Sequence, residues 1–145
     1  MEKPRVTARI AGHAQHPLLC AGATIYFAAV LACDLLYTET DAFDQVTYSV
    51  AHLTEWMLGA GLLITLAAAV VALIDFFGDA RFRALPDLGT CACGGLLVLV
   101  LQVSNLHLRL SEGTPAIAPM GTILSLSAMA VLLALPSQSW ARMYR

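Results

Sequence analysis

The sequence predicts an all-α integral membrane protein, a bundle of four transmembrane helices. Of its 145 residues, 59% are hydrophobic and 12% are charged, about half the charged share of an average soluble domain. The charges are also unevenly spread, because Asp, Glu, Lys and Arg are absent from residues 10–33, 56–74, 88–108 and 113–141. A helix rises about 1.5 Å per residue, so about 20 apolar residues cross the hydrocarbon core of a bilayer. Each gap is long enough for one span.

The four predicted spans form a single transmembrane domain over residues 1–145. We place them at residues 18–37, 56–77, 88–108 and 117–135. Helices are expected because backbone polar groups in lipid must be satisfied within each segment, and the alternating pattern of a barrel strand is missing. Prolines support these bounds, since proline is tolerated in the first turn of a helix and is disruptive inside it. They are Pro17, Pro86, Pro115, Pro119 and Pro136.

Basic residues gather on one side of the predicted bundle. Seven of the eight stand in the two tails and in the loop between spans two and three: Lys3, Arg5, Arg9, Arg81, Arg83, Arg142 and Arg145. Arg109 falls on the opposite side. Because Lys and Arg in short loops favour the cytoplasm, we predict that both termini are cytoplasmic.

A first layer of polar residues is predicted on the non-cytoplasmic side. Arg109 lies at the end of span three, with Asn105 one helical turn before it. We expect Arg109 to pair with Asp34 or Glu55 across the bundle, because a charge within a membrane protein is normally met by a partner. The four residues are therefore expected to clamp the helices together.

Two histidines in the same layer suggest an alternative, since His52 opens span two and His107 ends span three. Histidines on different helices at one depth can be the axial ligands of haem b, as in four-helix membrane cytochromes. The structural alternative is an imidazole at the water boundary, which needs no ligand role. A Soret band lost in His52→Ala or His107→Ala would establish haem binding.

A second polar layer is predicted on the cytoplasmic side, where His13 and His16 precede span one and Cys91 and Cys93 open span three. Imidazole and thiolate are good ligands for transition metals such as zinc, copper and iron. These four residues would form a metal site if spans one and three touch. The structural alternative is that cysteines ease helix packing and histidines line the interface. Asp75 in this layer is expected to be structural.

Other function classes find no support in the sequence. No nucleophile–base pair, glycine-rich phosphate loop or paired carboxylates are visible, so an enzyme has no positive indication. A net charge of −2 is not that of a nucleic-acid binder. The middle of each span lacks the ionisable groups that ion pumps and proton-coupled carriers need. The deepest polar groups of span three, Gln102 and Ser104, are typical of hydrogen bonds between helices.

Short motifs stand at the ends of the predicted spans. They are residues 12–17 (G-H-A-Q-H-P), 34–37 (D-L-L-Y), 55–61 (E-W-M-L-G-A-G), 73–76 (L-I-D-F) and 81–83 (R-F-R), with Asn105 and Arg109. Together they resemble a family of small bacterial four-span membrane proteins that is described only as a predicted membrane domain of unknown function. The resemblance runs from about residue 12 to residue 144 and implies a bacterial inner-membrane location, without an established activity.

The chain departs from that family at two places. Members usually carry a histidine early in span three, where this chain has residues 90–93 (T-C-A-C), and a histidine–glycine tail, where it has residues 136–140 (P-S-Q-S-W). If the family's histidines bind a cofactor, either the cysteines replace them as ligands or the site has become a scaffold.

The function favoured by the sequence is a non-catalytic structural or accessory subunit of a larger membrane assembly. Short loops leave little soluble surface, so partner subunits, or further copies of this chain, are expected to dock through the lipid-facing helices. The alternative is a redox protein that binds haem or a transition metal through its interfacial His and Cys residues.

Overall fold

The computed structural model describes residues 9–10, 13–39, 45–78, 80–84 and 87–135. Two very short strands, β1 (Arg9–Ile10) and β2 (His13–Ala14), pair in antiparallel register immediately before the first helix. Some residues used in the sequence predictions lie outside the described residues. They are Lys3, Arg5, Gly12, Pro86, Pro136, Arg142 and Arg145.

The described chain is dominated by helices, as the sequence predicts. They are α1 (Gln15–Glu39), α2 (Gln45–Gly78), the single turn α3 (Ala80–Arg83), α4 (Leu88–Glu112) and α5 (Thr122–Ala134). A 3₁₀ turn over Thr114–Ala116 and a wide turn over Ile117–Gly121 join α4 to α5. Four helical segments are long and apolar enough to cross a membrane: Gln15–Thr38, Ser49–Gly78, Leu88–Glu112 and Thr114–Ala134. The predicted all-α four-helix membrane fold is confirmed.

Two boundaries differ from those that the charge gaps indicate. Helix α2 begins at Gln45, well before the predicted start of span two at residue 56. The charge at Glu55 set that predicted start, but a helix can carry charged residues where it extends beyond the apolar part of a span, and Glu55 lies 2.9 Å from His52 one turn earlier. Charge gaps therefore locate the apolar part of a span and not the ends of its helix.

The fourth span is bent close to its start. Ala118 leaves the helical region, with φ −119° and ψ 129°. The ring of Pro119 explains this conformation, because a proline disfavours helical dihedral angles in the residue before it. The regular helix α5 therefore begins at Thr122, inside the apolar segment Thr114–Ala134, which includes the predicted start of span four at residue 117.

The helices form a bundle in which α1 packs against α2 and α5, and α4 packs against the same two helices. We call the end where α1 begins and α5 ends the tail end, and the opposite end, where α1 ends and α2 begins, the far end. An apolar core lies between the two ends; it consists of Ala23, Phe27, Val30, Leu58, Val98 and Ala128. Helices α1 and α2 approach closely at Gly61, where a Cβ atom would lie 2.7 Å from the ring of Phe27.

The outer surface of the bundle is strongly apolar. In the most apolar 18-residue stretch of each span, between 17% and 28% of the residues are buried inside the protein. Large hydrophobic side chains are exposed along all four spans, including Ile25, Leu63, Leu97 and Leu133. Lipid tails cover such a surface without cost, and the polar groups turn inward instead.

Candidate functional site

A fully buried ion pair joins the first and third spans at the far end. Arg109 Nη2 of α4 donates to Asp34 Oδ2 of α1 at 2.6 Å, and both side chains are inaccessible to solvent. The guanidinium uses its other edges as well, donating from Nη1 to Thr54 Oγ1 of α2 and from Nε to Asn105 Oδ1, both at 2.9 Å. Arg109 therefore makes hydrogen bonds to two other spans and to its own helix.

Helix α5 enters the same set of hydrogen bonds through Ser125. Its hydroxyl donates to Asp34 Oδ2 at 2.8 Å and accepts from Asn105 Nδ2 at 2.9 Å. Asn105 Nδ2 also donates to Gln102 Oε1 at 3.3 Å. We call the six buried residues the far-end network: Asp34, Thr54, Gln102, Asn105, Arg109 and Ser125. Every span contributes at least one member, so the network ties the whole bundle together.

Helical spacing explains why these side chains meet. Gln102, Asn105 and Arg109 are three and four residues apart on α4 and therefore share one face. They continue the buried stripe that starts at Val98. Gly121 makes room on the other side, because a Cβ atom there would lie 3.2 Å from both Arg109 Nη2 and Asn105 Oδ1 and 2.9 Å from the carbonyl oxygen of Ala116.

The electrostatics of the network depend on the pairing of its two charges. Removing a carboxylate and a guanidinium from water is costly, and only good geometry with further hydrogen bonds offsets that cost. The ion pair has such geometry. The Arg109 guanidinium donates to Asp34, Thr54 and Asn105. The Asp34 carboxylate also accepts a hydrogen bond from Ser125. Within the network, two buried atoms have no hydrogen-bond partner among the described residues, namely Asp34 Oδ1 and Gln102 Nε2.

A recess of about 440 Å³ opens above the network at the far end. Its wall includes His52, Glu55 and Glu112, and Arg109 borders it from below. The second acid proposed as a partner of Arg109 is engaged elsewhere, because Glu55 Oε2 lies 2.9 Å from His52 Nδ1. The structure thus pairs Arg109 with Asp34 and leaves Glu55 at the rim of the recess.

The two histidines considered as haem ligands both lie on outward faces. His52 and His107 are exposed, whereas Ala51, Thr54 and Arg109 beside them are buried. Successive helical residues differ by about 100° around the axis, so His107 points roughly opposite to Arg109. The structure does not bring the two rings together inside the bundle, and haem binding by this pair stays a prediction.

The residues considered as metal ligands are divided at the tail end. His16 is buried, and its ring lies 3.8 Å from Cys20 Sγ, one turn along α1. Cys91 is half-buried and Cys93 is exposed. The side chain of His13 lies outside those that the structure describes. Among the described residues, no three His, Cys, Asp or Glu side chains gather as metal ligands would.

Asp75 is buried on α2 near the tail end, where its carboxylate is close enough to His16 to interact with it electrostatically. The two residues connect α2 with α1 at this end. They are separated from the far-end network by the apolar core that includes Phe27 and Leu58. The bundle therefore has a polar contact near each end and an apolar middle.

Sequence reasoning missed two members of the network, Thr54 and Ser125. Both are short hydroxyl side chains of a kind that also occurs on exposed helix faces. Ser104 shows the difficulty, since it was considered together with Gln102 but is exposed, whereas Gln102 is fully buried. The available signal was the spacing: Ser125 follows Gly121 by one turn, and Thr54 precedes the buried Leu58 by one turn.

Comparison with known proteins identifies the family to which these features belong. No curated protein and no solved structure matches the chain. A family of predicted membrane proteins, DUF2231, matches residues 12–140, which include all four spans, the far-end network and the motifs noted in the sequence. The chain therefore belongs to the DUF2231 family of predicted membrane proteins.

Proposed function

We propose that this protein is a non-catalytic structural or accessory subunit of a larger assembly in the bacterial inner membrane. The observation that carries the proposal is the far-end network, in which the charged pair Asp34 and Arg109 is used for holding four helices together. Charges that mediate transport or chemistry must meet a moving substrate. Asp34 and Arg109 instead pair with each other, and both side chains are fully buried.

The outer surface supports docking inside the bilayer. Many large apolar side chains of the spans are exposed, among them Ile25, Leu63 and Leu133. Association of membrane helices depends on packing between such surfaces and not on the hydrophobic effect. A partner would therefore recognise the shape of one helical face, and a second copy of this chain is one such partner.

Photo-crosslinking in native membranes tests this proposal. A photoreactive amino acid is placed at one exposed position on each span: Ile25, Leu63, Val100 and Leu133. We expect one or two of these positions to give a protein adduct of discrete mass, while the others give lipid adducts and serve as matched controls. Lipid adducts at all four positions, together with a lone monomer after mild detergent extraction, would contradict a subunit role.

We further propose that the tail end faces the cytoplasm. Residues 81 and 83 follow α2 at this end, and Arg109, the basic residue on the opposite side, is buried in an ion pair. Arg109 therefore takes no part in the positive-inside balance, which strengthens the predicted asymmetry. With the four native cysteines replaced by alanine, we expect Glu112→Cys to react with a membrane-impermeant maleimide in intact spheroplasts, and Arg83→Cys to react after lysis only. The reverse pattern would place the termini outside.

The arrangement of the described residues gives no specific support to the alternative, a haem- or metal-binding protein. His52 and His107 lie on outward faces, and Cys93 is exposed. We therefore propose the subunit role ahead of a redox function.

A further inference from the structure

The outward face of α4 differs from the outward faces of the other three spans. The side chains exposed within residues 18–36 of α1, 57–77 of α2 and 123–134 of α5 are all apolar. Helix α4 instead exposes Ser104 and His107, with the exposed apolar side chains of Val103 and Leu110 on either side of them. It is also the span with the smallest buried share of its most apolar stretch, 17%. The span that the protein covers least is thus the one with polar groups on its outer face.

Ser104 and His107 lie at a depth where lipid offers them no partner. The span runs over Leu88–Glu112, with Val100 at its middle. A rise of about 1.5 Å per residue places Ser104 about 6 Å and His107 about 10 Å from that middle, whereas the hydrocarbon core extends about 15 Å to either side of its centre. Ionisable side chains at such a depth almost always face protein or a water-filled cavity, and serine commonly bonds across helices. This depth indicates that a further protein surface covers the face.

The two polar residues belong to a regular row on α4. Six exposed residues follow one another at alternating spacings of four and three, and we call them the α4 stripe: Cys93, Leu97, Val100, Ser104, His107 and Ser111. An average spacing of 3.5 residues is the repeat by which two helices pack along their length. The stripe has no charged residue with which to meet a charged partner. Serine and neutral histidine each donate and accept hydrogen bonds, so two copies of the stripe complement each other without opposing like charges.

An open groove of about 600 Å³ between α4 and α5 borders the stripe near the tail end. Small residues contribute much of its lining, among them Gly89, Cys93, Gly94 and Ala134. Leu96 is 61% exposed and lies on the other side of the stripe from the groove, because successive helical residues are about 100° apart. In two parallel helices related by a twofold axis, the groove side of each stripe faces the Leu96 side of the other. Each groove therefore has room for a leucine from the opposite copy.

We infer that this protein forms a parallel homodimer whose two copies pack through the outward face of α4. The inference rests on the proposed subunit role and deepens it, since it names the face and the partner. Both copies enter the membrane in the same orientation, so the twofold axis runs along the membrane normal and brings equal positions together. Ser104 then meets Ser104 of the second copy, and the small residues near the tail end let the two helices approach closely.

Cysteine cross-linking in native membranes tests the homodimer. The stripe already contains Cys93, so one protein keeps this cysteine alone, and a second carries Ser104→Cys with all four native cysteines replaced by alanine. Matched controls carry one cysteine at an exposed alanine of each other span: Ala28, Ala69 or Ala130. Oxidation with copper phenanthroline should give a disulfide-linked dimer in both α4 proteins and a monomer in the three controls. Monomers at both α4 positions, or dimers at all five positions, would overturn the inference.

Failure of the homodimer can be told apart from failure of the subunit role. A photo-crosslinked adduct between Val100 and a different protein would overturn the homodimer and leave the subunit role intact. Lipid adducts at all four photo-crosslinking positions would overturn both.

The double variant Ser104→Leu/His107→Leu gives a second readout. It removes two polar groups of the stripe and alters no buried residue, so the bundle should stay folded. We expect association, measured by energy transfer between labelled copies on dilution in liposomes, to weaken about tenfold, as the loss of two hydrogen bonds between membrane helices would cause. Ala130→Leu introduces the same side chain on the exposed face of α5 and should leave association unchanged. Equal association of the double variant and the unaltered protein would contradict the α4 interface.

Discussion

Replacing Asp34 by leucine is expected to destabilise the bundle by about 3–5 kcal/mol, because it leaves the Arg109 guanidinium buried without its counter-charge. The same substitution at Arg109 should cost a similar amount, since the Asp34 carboxylate then loses its cation and keeps Ser125 as its remaining donor. The free energy of unfolding, measured by steric trapping in bicelles or by titration with denaturing detergent, checks both values.

The double variant Asp34→Leu/Arg109→Leu separates the ion pair from its surroundings. Replacing a buried pair by apolar residues is often neutral, so we expect most of the stability lost in either single variant to return. His52→Ala is a control that removes the exposed pair with Glu55, and it should cost less than about 1 kcal/mol. Strictly additive losses in the double variant would mean that Asp34 and Arg109 do not depend on each other.

Replacing Gly121 by alanine is expected to cost about 3 kcal/mol, at the upper end of the usual range for overpacking a protein interior. The added methyl group would lie 2.9 Å from the carbonyl oxygen of Ala116, which belongs to the backbone and has little freedom to move. It would also press on Arg109 and Asn105 within the network. The same unfolding measurements report the loss.

A matched glycine on α4 supplies the control for this substitution. A Cβ atom at Gly95 would have no neighbour within 4 Å. Gly95→Ala is therefore expected to leave stability unchanged or to raise it by up to about 1 kcal/mol, the difference in helix propensity between the two residues. A neutral Gly121→Ala would show that the turn before α5 yields easily, and a costly Gly95→Ala would point to a neighbour outside this chain.

The spans themselves were accessible from sequence because hydrophobicity and length are nearly sufficient to define a membrane helix. Their exact ends were not, since helix ends depend on local contacts. Helix α2 extends beyond the charge gap to Gln45, and the backbone at Ala118, before Pro119, leaves helical geometry just ahead of α5. A count of charges contains neither the polar extension of a helix nor a local bend.

Part of the candidate site could be predicted from the sequence. Asp34, Asn105 and Arg109 stand out because charged or amide side chains are rare in apolar helices and must find partners there. The choice between Asp34 and Glu55 as the partner of Arg109 could not be made, because it depends on how the helices are rotated about their axes. The apolar residues carry little information on that rotation, since lipid and the protein interior accept the same side chains. Polar residues at helical spacing carry it instead.

The separation of Asp34 from Arg109 along the chain has a consequence for biogenesis. The two residues are 75 positions apart, and Arg109 is synthesised after the whole of α1 and α2. The first helical hairpin therefore enters the bilayer with an acid that has not met its base, and the second hairpin supplies both Arg109 and Ser125. Neutralisation of the Asp34 carboxylate by Arg109 thus depends on the second hairpin, so a chain cut short after α2 lacks both the cation and the hydroxyl that meet this carboxylate.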